Sequence, residues 1–157
     1  MRRLLSTASW KATTMRFRSD MEKVIFIVHG EPRGKGRPRF TKSGHAYTDE
    51  KTKQYESLVR ASYLKNGHKF TSPVRVIIMA HFKPPKKSKK VVGDMLNGHI
   101  LPTKKPDVDN IAKIILDGLN GVAWDDDTQV VDLSVGKYYS EEPRVAVMIE
   151  EMNAERC

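Results

Sequence analysis

Asp107 and Asp109 are separated by a single residue, and Asp125, Asp126 and Asp127 follow beyond a largely apolar stretch. In an extended backbone, side chains two residues apart share a side, so Asp107 and Asp109 can converge on one ion. Two carboxylates that close repel each other, and a divalent cation relieves the repulsion. Hard oxygen donors with no Cys or His cluster beside them suit Mg²⁺, with Mn²⁺ as a substitute, better than zinc. Lys113 stands four residues after Asp109, on helical spacing, so its ammonium can face the same acids. Carboxylates that hold a metal, beside a cation that stabilises negative charge on transition-state oxygens, are the equipment of phosphodiester hydrolysis by a metal-activated water.

Each group also has a plainer role. Asp109 suits a helix N-cap, and Asp125 to Asp127 suit a solvated turn. Asp117, one turn beyond Lys113, is a further ligand or, more simply, an i,i+4 partner of that lysine. The charge balance favours function: the chain carries a formal net charge of +9, and carboxylates inside a DNA-binding face weaken binding unless they have work there. For the acids to meet, Asn120 to Trp124 must fold back, because the intervening helix is on the order of 15 Å long at ~1.5 Å per residue.

The elements that must position these residues follow from periodicity. Lys23 to Val28 (KVIFIV) and Val74 to Phe82 (VRVIIMAHF) predict buried strands, the second apolar on both faces as in a central strand. Thr48 or Asp49 starts a helix running to about Lys65, with Tyr55, Leu58, Val59, Ser62 and Tyr63 on its inner face. After Pro106, Ile111, Ile114, Ile115 and Leu119 form the apolar stripe of a second helix, which Gly121 ends. Trp124 reads as a core anchor beside the acids, and His81 as structural. Gln129 to Tyr139 and Arg144 to Met152 alternate as strands, and Ser140 to Pro143 between them predicts a hairpin.

Two loops are strongly basic. Gly30 to Phe40 (GEPRGKGRPRF) alternates Arg33, Lys35, Arg37 and Arg39 with Gly and Pro, giving cations on a backbone that can follow a phosphate chain. Lys83 to Lys105 carries Lys86, Lys87, Lys89, Lys90, Lys104 and Lys105 up to the first acids, with Ser88 placed to cap a short helix ending near Asn97. These ten cations are the candidate DNA contacts, and His99 could assist. At 157 residues the chain suits one domain, over 21–152, preceded by a basic, disordered arm or upstream-start extension (1–20) and followed by a short tail (153–157). The single cysteine, Cys157, excludes an internal disulfide and a Cys-based zinc site, and no apolar run is long enough to span a bilayer. A cytoplasmic protein is expected.

The stretch PDVDNIAKIILDGLNGVAWDDDTQV resembles the signature of the RusA family of Holliday-junction resolvases: an Asp-x-Asp-Asn start, a Lys four residues after the second Asp, and a Trp-x-Asp-Asp-x-Gln-Val end. With GEPRGKGRPRF and the helix after Tyr47, the resemblance, to phage and prophage members in particular, runs roughly from Met21 to Met152. It implies an α+β fold, a mixed sheet packed with two main helices, a homodimer, and Mg²⁺-dependent paired nicking of four-way junctions in DNA recombination and repair. It also implies that Asp107, Asp109 and Asp127 bind metal, that Lys113 is the catalytic lysine, and that Asp126 is a further candidate ligand. The additional Asp125 leaves open which members of that run touch metal. The rival expectations are a non-catalytic nucleic-acid-binding protein and a nuclease for other branched DNA.

Overall fold

The computed structural model describes residues 21–152, so the expectations for the 1–20 arm and the C-terminal tail lie outside the described residues. In chain order the elements are β1 (Lys23–His29), β2 (Arg39–Phe40), β3 (Ala46–Tyr47), α1 (Glu50–Leu64), β4 (Val74–Phe82), α2 (Lys89–Leu96), α3 (Val108–Leu119), β5 (Val130–Tyr139) and β6 (Arg144–Glu151). This is a small α+β domain with a mixed four-stranded sheet, ordered β1-β6-β4-β5, and three helices, the two main ones expected and the short one after Ser88.

β5 and β6 do not form the expected hairpin. β4 lies between them, antiparallel to β6 and parallel to β5. The reason lies in β4 itself: Val74, Val76, Ile78, Ala80 and Phe82 are buried while Ile77 and Met79 populate its other face, so the strand gains most from neighbours on both edges. The parallel β4–β5 pair requires a long crossover, and the segment carrying α2 and α3 supplies it. β6 takes β1 on its other side, from Lys23↔Glu150 to His29↔Arg144.

Val24, Phe26 and Val28 of β1 and Val145, Val147 and Ile149 of β6 join the buried face of β4 to make the core. Two helices cover it: α1 packs on α3 and β1, and α3 packs on β5. The α3 stripe is fully buried, each of Ile111, Ile114, Ile115 and Leu119 being inaccessible to solvent. Burial of each stabilises the fold by ~1.5–3 kcal/mol. In α1 the inner face is Thr52, Tyr55, Val59 and Tyr63, whereas Leu58 points outward, one step off the stripe. Close approach of the two helices needs Gly118, where an added Cβ would lie 3.0 Å from Val59 Cβ and 3.1 Å from the Glu56 carbonyl oxygen.

The opposite sheet face is solvent-accessible although apolar. Ile25, Ile27 and Met79 are 62%, 42% and 41% exposed. Arg75 crosses part of it, pairing with Asp132 (2.8 Å) and, more loosely, Glu150 (3.9 Å). Among the described residues no helix is long and apolar enough to cross a membrane.

Candidate active site

The two acids of the Asp-x-Asp pair sit at the start of α3. Asp107 occupies the N-cap in an extended conformation, but its carboxylate makes no capping hydrogen bond, and Asp109 lies in the first turn. Both side chains are exposed and have no ion-pair partner among the described residues. The helix N-terminus favours negative charge there. Lys137 of β5 fixes the approach, its Nζ donating to the carbonyl oxygens of Lys104 (2.5 Å) and Pro106 (3.1 Å).

The Gly-rich loop is laid against this helix start. Lys35 N donates to the Asn110 carbonyl oxygen (2.9 Å), and Gly34 packs on Pro106 and Asn110 so closely that no side chain fits. The result is a cavity of about 730 Å³ whose wall includes Arg33, Arg37, Lys51, Lys105, Asp107 and Asn110. Cations from two sequence-distant loops and one candidate acid thus share a single concavity.

Lys35 departs from the expectation of a free DNA contact. Its ammonium pairs with Glu56 of α1 and with Asp117 of α3 (2.8 Å). Burial alone would lower its pKa; hydrogen bonds and charge from Asp117 and Glu56 outweigh that and hold it above 10.5. Asp117 therefore does not pair with Lys113, as its spacing suggested; Lys113 is exposed, with no carboxylate partner among the described residues. Arg33, Arg37, Arg39, Lys86, Lys87, Lys89, Lys90, Lys104 and Lys105 are all exposed. Ser88 caps α2 through Val91 N (3.5 Å) as expected. His99 is exposed and 3.7 Å from Asp94.

The second acidic group sits on a tightly held turn. Gln129 accepts from Asp125 N (2.9 Å) while its amide donates to the carbonyl oxygens of Phe70 (3.1 Å) and Ser72 (3.2 Å). Trp124 is fully buried, its indole N–H on Asn120 Oδ1 (2.7 Å), so base stacking by this residue is ruled out. The positioning roles of Gln129 and Asn120 are not assigned by sequence reasoning, although Gln129 stands in the Gln-Val end of the signature and Asn120 opens the return segment. Within the run, Asp125 pairs with Lys69 (2.5 Å). Asp126 accepts from Asp127 N (2.9 Å) and the Thr128 hydroxyl (3.1 Å). Asp127 is half-buried and has no cation partner among the described residues. Burial, then the charges of Asp126 and Asp117, push its carboxyl above the ordinary value of 3.8.

The fit to a divalent ion is therefore divided. Asp107, Asp109 and Asp127 are hard-oxygen donors lacking counter-cations, which suits Mg²⁺. Yet among the described residues no three His, Cys, Asp or Glu side chains are gathered closely enough to hold an ion. The return through Asn120 to Trp124 brings Asp127 under the influence of Asp117, eight residues along α3 from Asp109.

The endodeoxyribonuclease RusA family model matches residues 29–150, nearly the whole described domain. The chain belongs to the RusA family. It is also 42% identical over 143 residues to the uncharacterized protein YqaN of Bacillus subtilis (strain 168), covering 85% of this chain and 100% of that protein. Membership in the RusA family implies an endodeoxyribonuclease acting on branched DNA junctions.

Proposed function

We propose that this RusA-family chain is a Mg²⁺-dependent, structure-selective endodeoxyribonuclease that resolves four-way junctions by paired symmetric nicks in recombination and repair. The observation that carries the reading is the shared cavity, in which Asp107 stands among Arg33, Arg37 and Lys105. Such an arrangement draws a phosphate chain toward an acid that would otherwise repel it.

In this mechanism Asp107, Asp109 and Asp127 would hold the ion, with Asp126 as a further candidate. Bound Mg²⁺, or Mn²⁺ in its place, supplies charge neutralisation at the scissile phosphate and activates water. Arg33, Arg37 and Lys105 bind the flanking phosphates, and Lys86, Lys87, Lys89 and Lys90 extend the grip along an arm. Lys113, free of a carboxylate partner among the described residues, is available to stabilise charge on the transition-state oxygens. The Lys137 bonds orient the segment that carries Asp107.

Paired nicking needs two sites related by a two-fold axis, which a homodimer provides. The apolar sheet face bearing Ile25, Ile27 and Met79 is the surface we assign to that contact. A phage-infected or bacterial cytoplasm is the setting where such a substrate arises.

The test is incubation of purified protein with a synthetic four-way junction and Mg²⁺. Two symmetric nicks support the reading; cuts only in forks or flaps redirect it to other branched DNA. The absence of a gathered three-carboxylate cluster among the described residues favours a second reading, a nucleic-acid-binding protein without catalysis, for which binding without cleavage would be the result.

A further inference from the structure

The short β2–β3 hairpin stands at the rim of the cavity: Arg37 before it and Asp49 after it both line the wall. The hairpin is held by its own bonds. Arg39 pairs with Tyr47 and Phe40 with Ala46, Thr41 N donates to the His45 carbonyl oxygen (2.9 Å), and Gly44 N donates to that of Thr41 (2.9 Å). The tip needs Gly44, whose φ is +85°. His45 N closes the turn further on Thr41 Oγ1 (3.1 Å).

This ordered hairpin presents a large apolar ring to solvent, Phe40 being 70% exposed, with Tyr47 46% exposed on the opposite face. Cross-strand partners share a face, so Phe40 projects beside Ala46, a small residue that leaves its ring clear. Arg37, Arg39, Lys42 and His45 are its neighbours along the chain, with Arg39 on the opposite face beside Tyr47. An exposed aromatic in a hairpin that also carries cations gains little from water and much from the π-face of a base whose phosphates its neighbours hold. Phe40 lies three residue steps beyond Arg37, a reach of up to about 10 Å from the cavity rim at ~3.3 Å per residue.

We propose that Phe40 is a branch-sensing wedge, stacking on a base face laid open where duplex arms meet, so that the hairpin selects branched over linear DNA. Continuous duplex offers no such face without unstacking, whereas a branch point offers it at low cost. The inference rests on the branched-DNA reading given above and adds to it the group that recognises the branch.

The test compares binding of a four-way junction and of a linear duplex with one arm's sequence, in EDTA so that neither is cut. Phe40→Ala is expected to lose about tenfold in junction affinity with duplex affinity kept within about twofold, and Phe40→Trp to retain the junction preference. A Phe40→Ala protein whose junction-to-duplex ratio equals that of wild type overturns the inference while leaving the branched-DNA reading intact. A change in oligomeric state of Phe40→Ala on size-exclusion chromatography also overturns it, because the ring would then serve a protein contact. Wild-type protein that binds junction and duplex equally defeats the branched-DNA reading and the wedge together.

Discussion

A β-carbon added to Gly34 would lie 2.7 Å from the Cβ of Pro106, a contact no side chain sustains. Gly34→Ala must therefore lift the basic loop from the start of α3 or displace Pro106 and with it Asp107. The expected outcome is a folded protein whose junction cleavage falls at least tenfold, since displacements of about 1 Å at a catalytic group cost on the order of 10²-fold. Single-turnover cleavage measured beside the melting temperature checks this.

Lys35 ties the same loop to α1 and α3 through Glu56 and Asp117. Its folded pKa lies above 10.5 because those carboxylates outweigh burial. A raised lysine pKa gives stability that is fully present below the unfolded value and disappears as pH rises through the folded one. Urea unfolding should show Lys35→Met less stable than wild type by a constant amount from neutral pH to about 10, the gap narrowing above that range.

Asp109→Asn keeps the size of the side chain but removes a charge and one strong metal donor. Junction binding in EDTA should be unchanged or tighter, while cleavage in Mg²⁺ should fall by 10² or more, on the order of a lost transition-state contact. Asp125→Asn, whose carboxylate is engaged with Lys69, should cleave within about threefold of wild type. Equal losses in the two variants would discredit the assignment of roles within the acidic groups.

The exposed lysines of the α2 region predict a salt effect. Each phosphate contact contributes about 0.9 to the slope of log affinity against log salt. Lys89→Gln with Lys90→Gln should lower that slope by up to about 2 and weaken junction and duplex binding alike. Fluorescence anisotropy over a salt series reads both quantities.

Met79 is 41% exposed in the middle of the open sheet face. Met79→Lys places a charge there without disturbing the buried face of β4. If that face joins two copies, multi-angle light scattering should report a dimer for wild type and a monomer for the variant, with paired nicks replaced by single ones.

Much of the site-bearing architecture was legible because local periodicity encodes it. The Ile111, Ile114, Ile115, Leu119 stripe and the two-faced apolarity of β4 each depend on residues a few positions apart. Strand partnership does not. Ser140 to Pro143 has the makings of a tight turn, but β4, far upstream in the chain, enters between β5 and β6 and pairs with both. Lys35, a candidate DNA contact by sequence, is an ion-pair centre for the same reason: Glu56 and Asp117, distant in the chain, become neighbours only when α1 and α3 pack. The spacing of the acids was visible, yet how near Asp127 comes to Asp107 depends on a return path that spacing does not encode.

The pairing of β1 with β6 joins opposite extremes of the described chain. About a hundred residues of chain must follow β1 before its strand partner exists, so this pairing forms late relative to the local contacts. A product lacking 144–151 would leave β1 with no strand partner and β4 with one bare edge, although β4 and β5 could still pair.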